Sequence, residues 1–179
     1  MATDLAGMPL IPPPPSGSIA AEAAAQLAAH ADEHGHLAAL RGAFAHFPAA
    51  LKALDNQYDL IIGQGRLDRS VRELIVACAA SARGDEYLAR AMAGQAAAHG
   101  FADADSAVAM AASGEGRSDA ETCLLTWARK MGTTPYKVVE EDMARLHGAG
   151  WHDQEIVEAL TVVSLSAYMS TMSLTLKLA

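Results

Sequence analysis

The sequence predicts an all-α protein, built as a bundle of seven or eight helices. Its 179 residues suffice for one domain, and a hydrophobic content of 51% can form a sizeable core. Aromatic residues make up only 5% of the chain, whereas alanine and other strong helix formers are abundant. These observations favour helices that pack through small side chains, and they give little support to strands.

The charge of the chain limits the classes of partner. A formal net charge of −8 repels phosphate backbones and anionic lipids, so neither nucleic acid nor membrane is expected as the main partner. No apolar run looks long enough to span a bilayer, and no signal peptide is recognised. With only two cysteines, far apart, we expect a cytoplasmic and reduced protein.

Residues 1–17 form a proline-rich segment that contains PLIPPPPSGS. Successive prolines lack backbone donors and favour an extended conformation, so this segment is expected to be an arm outside the core. Two interpretations stay open, a flexible terminus and an arm that lies on a neighbouring subunit. Residues 18–179 are expected to form a single helical domain, which begins with a helix from Ile19 to about His30.

Three histidines follow closely in the next turn: His30, His34 and His36. A metal site needs three or four converging ligands. His30 and His34 are i,i+4 neighbours, but no cysteine or further patterned acid completes a set nearby in the sequence. The sequence therefore predicts neither a metal nor a cofactor.

The next helices are marked by their end signals. Pro48 separates two short amphipathic helices, and the second should end at Gly63 or Gly65. Asp68 or Ser70 can cap a helix with the sequence VRELIVACAASA, which is apolar almost all round and should be the central buried helix. A further helix should run from Asp85 to Gly100.

The last third of the chain predicts three or four more helices. Residues 102–113 favour a weak helix, and Ser118 with Glu121 forms a capping box for a helix that continues to Met131. Pro135 is expected to open a helix that continues to about His147, because proline at the first helical position loses no needed hydrogen bond. Asp153 should cap the long final helix, which has an apolar stripe.

The segment AFAHFPAALKALDNQYDLIIGQGRLDRSVRELIVACAASARGDEY resembles the core of the alkylhydroperoxidase D and carboxymuconolactone decarboxylase superfamily. The Arg72-Glu73-Leu74 triplet, Gly84 and Gly100 fall at the positions of the family pattern, and the resemblance extends from about His36 to the C-terminus. It implies an AhpD-like helical bundle, a homo-oligomer, and either peroxidase-type or decarboxylase-type chemistry.

The positions that carry the redox chemistry of this family hold other residues in this chain. In the redox branch the first cysteine of a Cys-x-x-Cys motif follows the glutamate by twelve residues, which from Glu73 leads to Asp85. The second cysteine position is Leu88, and the histidine position is Met92. Because neither a carboxylate nor a thioether can take part in disulfide exchange, the chain is not expected to be a working thiol peroxidase.

The two cysteines of the chain do not restore this motif. Cys78 lies about 140° round its helix from Glu73, and Cys123 belongs to a separate helix. We expect both to be buried and inert. The decarboxylase branch, with a pattern resembling G-x-E-H-E-L-R-x-H, is matched only at Glu86 and Arg90, so most of its proton-transfer groups are also missing.

Three residues are the candidates for catalysis: Glu73, Asp85 and Tyr87. Glu73 interrupts an apolar helix, so it must be hydrogen-bonded or ion-paired, with Arg69 or Arg72 as partners, or stay neutral. Asp85 can equally serve as a helix cap. Arg90, which remains beside them, is expected in solvent, and the two outer candidates also have structural alternatives: His99 against a helix C-terminus, and Tyr168 in the core or an interface.

Three functions stay open on this basis. The first is an alkylhydroperoxidase-like antioxidant enzyme. The second is a cofactor-free acid/base enzyme that acts on a small carboxylated or lactone substrate through Glu73 and Asp85, which two converging carboxylates would support. The third is a non-catalytic protein that binds a small organic ligand or assembles as a structural oligomer, which an apolar-filled site would support. A homo-oligomer is expected in each case, because alanine-rich and methionine-rich helices leave shallow apolar faces.

Overall fold

The computed structural model describes residues 9–178, and within this range the protein contains helices and no strand. The all-α prediction is confirmed, with nine α-helices in the described part where seven or eight were expected. The helices are α1 Ala21–Ala29, α2 Ala38–Phe44, α3 Pro48–Ile61, α4 Arg69–Ala82, α5 Glu86–Ala98, α6 Ala104–Ser113, α7 Asp119–Thr133, α8 Glu140–Gly148 and α9 Asp153–Leu176. Three short 3-10 turns, Ser16–Ser18, Gly35–Leu37 and Pro135–Lys137, connect them.

Helix α4 lies at the centre of the bundle, as its apolar sequence predicted. Every residue from 70 to 80 is buried, and the helix packs against α5, α6, α7 and α9. Small residues allow this close packing. A Cβ atom added to Gly132 of α7 would lie only 2.9 Å from the carbonyl oxygen of Ala79, so the two backbones could not approach this closely with a larger residue.

Two predicted helix starts are wrong. Pro135 opens only a 3-10 turn, and the chain is extended at Val138 and Val139 before α8 begins at Glu140. The carboxylate of Asp142 accepts a hydrogen bond from the backbone N–H of Val139 at 2.9 Å, and this contact fixes the later start. Helix α9 similarly has His152 rather than Asp153 at its N-cap position, because Glu155 accepts from the His152 N–H at 3.0 Å.

Helix α9 corrects the expectation that no apolar segment could span a bilayer. By length and composition alone its 24 residues would suffice, with a mean hydropathy of 1.4. Half of this apolar stretch is buried against the other helices. The hydroxyl of Ser166 donates to the Val76 carbonyl of α4 at 3.1 Å, so in this fold α9 is a helix of the core.

The described part of the proline-rich segment lies against the helical body. The Leu10 N–H donates to the Leu176 carbonyl at 2.9 Å, and the His46 ring donates to the Pro12 carbonyl at 2.9 Å. The ring of Pro13 packs over Gly42. The remainder of the predicted arm, residues 1–8, lies outside the described residues.

Candidate functional site

Glu73 is fully buried in α4, and its carboxylate contacts two basic side chains. Its Oε1 accepts a hydrogen bond from Nε of Arg69 at 3.0 Å, and its Oε2 lies 2.8 Å from Nδ1 of His99. Of the two arginines expected as partners, only Arg69 pairs with Glu73. Arg72 instead donates to Glu158 of α9 at 2.8 Å.

The antiparallel arrangement of α4 and α5 brings His99 to Glu73. Helix α5 ends at Ala98, His99 is its C-cap, and Gly100 turns the chain with a φ of +83°. A carboxylate only accepts hydrogen bonds, so Nδ1 of His99 carries the proton. Nε2 is then the basic nitrogen, and among residues 9–178 it has no hydrogen-bond partner. Glu73 therefore fixes the tautomer of His99.

In the dyad of Glu73 and His99, His99 lines a cleft of about 300 Å³, but the fully buried Glu73 does not. One side, the basic wall, consists of Arg69, Gln95 and His99 from α4 and α5. The other side, the acidic wall, comes from the α1–α2 connection and α3. The residues that line the cleft are Asp32, Glu33, His34, Tyr58, Asp59, Gly63, Arg69, Gln95 and His99. The cleft thus brings basic and acidic side chains together.

Tyr58 and His36 form a neutral pair beside this cleft. Nε2 of His36 lies 2.9 Å from the Tyr58 hydroxyl. Burial, reinforced by cationic neighbours, lowers the pKa of His36 to about 4. Burial, and then the negative charge of Glu73, raises the pKa of the Tyr58 phenol, which stays protonated. The Tyr58 hydroxyl also contacts the sulfur of Met92 at 3.8 Å.

The positions aligned with the redox motif hold a helix cap and core side chains. Asp85 is buried at the N-cap of α5, where one carboxylate oxygen accepts from the Leu88 N–H at 3.0 Å. The other oxygen accepts from the hydroxyl of Ser173. Leu88 and Met92 are fully buried. These three side chains cap and pack α5.

The structure does not bring the three predicted catalytic residues together. Glu73 contacts His99 at the C-terminal end of α5, whereas Asp85 lies at its N-terminal end, about 20 Å away at 1.5 Å per residue. Tyr87 accepts a hydrogen bond from the Leu40 N–H at 3.3 Å, and burial raises the pKa of its phenol. Asp85 and Tyr87 instead line a separate cavity of about 510 Å³.

Two acids join the first two histidines, contrary to the expectation that nothing completes a ligand set. Glu33 and Asp59 place carboxylate oxygens near His30 and His34, and one ligand atom from each residue lies within 4.8 Å of the others. Asp59 belongs to α3, more than twenty residues further along the chain. His36 takes no part, because its ring is used by Tyr58.

The cysteines lie apart from the cleft. Cys78 is buried in α4, its thiol donates to the Met110 carbonyl at 3.7 Å, and burial raises its pKa to about 12. Cys123 in α7 is only partly buried, so the expectation of full burial is wrong for it. Tyr168 packs against Phe44 with ring centres 5.9 Å apart.

Comparison with known proteins gives the fold. Neither a protein-family model nor a curated protein sequence matches the chain. Among solved structures, an uncharacterized peroxidase-related protein of the alkylhydroperoxidase AhpD core from Ralstonia eutropha JMP134 superposes with a TM-score of 0.78 at 18% identity, over 94% of this chain and 90% of that one. A second uncharacterized peroxidase-related protein, from Silicibacter sp. TM1040, superposes with a TM-score of 0.77 at 17% identity, over 90% of this chain and 86% of that one.

A third similar structure is the debrominase Bmp8, with one cysteine replaced by alanine, in complex with 2,3,4-tribromopyrrole. Its TM-score is 0.75 at 16% identity, over 95% of this chain and 90% of that one. These similarities confirm the AhpD-like fold that the sequence predicted. The chain is a divergent example of that fold.

Proposed function

We propose that the chain is an acid/base enzyme that acts on a small carboxylated or lactone substrate in the cleft beside Glu73 and His99. The observation that carries this proposal is the hydrogen bond between the buried Glu73 carboxylate and Nδ1 of His99. Such a contact holds an imidazole in one tautomer and stabilises its protonated form. The proposal keeps Glu73 from the predicted set and replaces Asp85 by His99.

The cleft supplies the other groups that such a reaction needs. Nε2 of His99 can take a proton from water or from a carbon acid, and the buried Glu73 carboxylate stabilises the resulting imidazolium. Arg69 uses only its Nε for Glu73, and a guanidinium has four further N–H donors for a substrate carboxylate. The debrominase that shares the fold binds a small cyclic molecule, which supports a ligand of this size.

Thiol peroxidase activity is not part of this proposal. The aligned positions lack both cysteines, and the thiol of Cys78 is buried with a raised pKa. Asp85 already uses both carboxylate oxygens as a cap and in a contact with Ser173. We therefore also propose that hydroperoxides are not substrates.

A non-catalytic function, in which the cleft only binds a small organic ligand, is the second candidate. It is favoured by the complete burial of Leu88 and Met92, which fill the space of the redox motif with apolar side chains. Both candidates include a homo-oligomer in the cytoplasm. Val157 and Leu160 on α9 are exposed apolar residues that such an assembly would cover.

Hydrolysis of p-nitrophenyl acetate separates the two candidates. If Nε2 of His99 is an oriented base, the protein should hydrolyse this ester faster than an equal concentration of free imidazole. A positioned general base contributes about 10²–10⁴-fold, so His99→Gln should lower the rate by about 10²-fold. Glu73→Gln should also lower it, because the tautomer of His99 is no longer fixed.

The matched control is His147→Gln, which removes an exposed histidine that also faces a carboxylate, that of Asp153 at 2.9 Å. This control should keep the wild-type rate. A wild-type rate no higher than that of imidazole, or a rate that His99→Gln leaves unchanged, would refute the acid/base proposal and favour the ligand-binding one.

A further inference from the structure

We propose that His30, Glu33, His34 and Asp59 form a binding site for one divalent transition-metal ion, with Zn²⁺ as the reference ion. Two imidazole nitrogens and two carboxylate oxygens are ligands that Zn²⁺ accepts, and the two carboxylates balance its charge. The site lies on the acidic wall of the cleft.

The four ligand atoms lie within 4.8 Å of one another, a wider spacing than that of a tetrahedral site. With metal–ligand distances of 2.0–2.1 Å, tetrahedral ligands lie about 3.3 Å from one another. Nδ1 of His30 lies 3.7 Å from Oε2 of Glu33 and 4.0 Å from Oδ2 of Asp59, and Nε2 of His34 lies 2.9 Å from Oδ1, the other oxygen of Asp59. Shifts of up to about 1.5 Å, together with a turn of the His30 ring, would bring the ligand atoms to the tetrahedral distance.

His30 supplies an independent observation. Its Nδ1 is buried and has no hydrogen-bond partner, although such groups are almost always paired. The His30 and His34 rings are stacked, at 4.9 Å and 12°. A shared metal ion must lie near the plane of both rings, so His30 has to turn about its side-chain bonds. Its place at the end of α1, with 21% of the side chain exposed, permits this rotation.

His34 is already oriented as a ligand by groups behind it. Its Nδ1 lies 3.2 Å from Asp55, which accepts hydrogen bonds from Nε and Nη2 of Arg41 at 2.8 and 3.0 Å and from Gln26 at 2.8 Å. A histidine that gives one ring N–H to a carboxylate presents its other nitrogen to the metal. Nε2 of His34 lies 2.9 Å from Oδ1 of Asp59, which belongs to the same proposed ligand set.

Arg41 also holds the backbone of His30 in place. Arg41 is buried, and it also donates to the backbone carbonyls of His30 at 3.2 Å and Gln26 at 3.0 Å, at the C-terminal end of α1. A fixed carboxylate and a fixed helix end therefore position both histidines.

Zinc titration of tag-free protein, stripped with a chelator, tests the site directly. Isothermal titration calorimetry with Zn²⁺ alone should give one ion per chain. All variants carry Cys123→Ser, so that the partly exposed thiol cannot contribute. His30→Ala and Asp59→Asn should each weaken binding by at least the 10–100-fold typical for loss of an outer-shell partner. His147→Ala, which removes an exposed histidine elsewhere, should bind as the parent does.

The thermal midpoint gives a second readout. Excess Zn²⁺ should raise it in the parent and the His147→Ala protein, and raise it less in the His30→Ala protein. Absence of a saturable site in the parent, or an affinity in His30→Ala and Asp59→Asn equal to that of the parent, would overturn the proposal and leave His34 as a histidine paired with two aspartates. The inference does not depend on the dyad, and His99→Gln should bind Zn²⁺ normally.

Discussion

Replacing Glu73 by glutamine tests the pairing on which the candidate site depends. Glutamine keeps the shape of the side chain but loses the charge. The Glu73 side chain has no exposed surface, whereas Arg69 and His99 are 41% and 35% exposed. Glutamine can still accept one hydrogen bond through its carbonyl oxygen, but its NH₂ group then faces the other donor.

The loss of stability expected for Glu73→Gln follows from these contacts. Hydrogen bonds to charged groups contribute about 1.5–3 kcal/mol each, and about one of the two is lost. Breaking a fully buried ion pair costs about 3–5 kcal/mol, because a charge is left without a partner. Arg69 and His99 are partly exposed and can turn toward water in the variant. The range of about 1.5–3 kcal/mol for a hydrogen bond to a charged group therefore applies, and not the range for a fully buried ion pair. We expect a loss of about 2–3 kcal/mol, or about 4–12 °C in the melting temperature of a chain of this size.

Urea unfolding followed by circular dichroism, at one protein concentration, measures this loss as a shift in midpoint with an unchanged slope. Glu86→Gln is the matched control, because Glu86 pairs with Arg90 at the same i,i+4 spacing, with both side chains exposed. The control should show no measurable shift. If Glu73→Gln also stays within about 0.5 kcal/mol of wild type, the usual range of surface substitutions, Glu73 is solvated and the dyad is wrong.

The remaining predictions concern the thiols and the assembly. Wild type and Cys78→Ser should both fail to consume alkyl hydroperoxide with a dithiol reductant above background, and turnover that depends on Cys78 would contradict its inertness. Because the pKa of Cys78 is raised to about 12, its thiol stays protonated at pH 8 and should react with iodoacetamide more slowly than Cys123. The triple change Asp85→Cys, Leu88→Cys and Met92→His should introduce dithiol-dependent peroxidase activity, and a folded protein unable to form the new disulfide would count against the alignment. Light scattering at micromolar concentration should give a mass above 18.6 kDa, and a mass equal to that of one chain would exclude the homo-oligomer.

Local signals in the sequence predicted most helix boundaries. Pro48 begins α3, Asp85 caps α5, and Ser118 caps α7, because each signal acts within one helical turn. The prediction for Pro135 was wrong, although a local rule favours proline at a helix start. The carboxylate of Asp142, seven residues later, satisfies the Val139 N–H and moves the start of α8.

The candidate site was predicted only in part, because its contacts join distant segments. Glu73 could be identified, since a carboxylate in an apolar helix needs a partner. Its partner His99 lies 26 residues further along the chain, but the sequence contains a signal that could have located it. Helices α4 and α5 have 14 and 13 residues and meet at a glycine turn, so residues equally far from Gly84 face each other. This symmetry places Glu73 opposite Gln95, about one helical turn before His99.

The metal-ligand set could not be predicted in this way. Asp59 reaches His34 only because α3 packs against α1, and the sequence contains no spacing rule for that contact. The histidines themselves are visible as an i,i+4 pair. Their completion by an acid depends on tertiary packing, as does the contact of Arg41 and Asp55 behind them.

The charges of the cleft are difficult to explain by stability alone. A buried ion pair is weak support for a fold, because its desolvation cost offsets much of its attraction, and apolar residues of similar volume often stabilise as well or better. Leu88 and Met92, one helix away in the same core, show that this bundle accommodates apolar side chains at neighbouring positions. A carboxylate at Glu73 contributes what an apolar residue cannot, a fixed tautomer for His99 and an acceptor that stabilises its protonated form. Under the proposed function, the chemistry of this AhpD-like bundle takes place in the cleft at the C-terminal end of α5, whereas Asp85 at the N-terminal end is occupied as a cap.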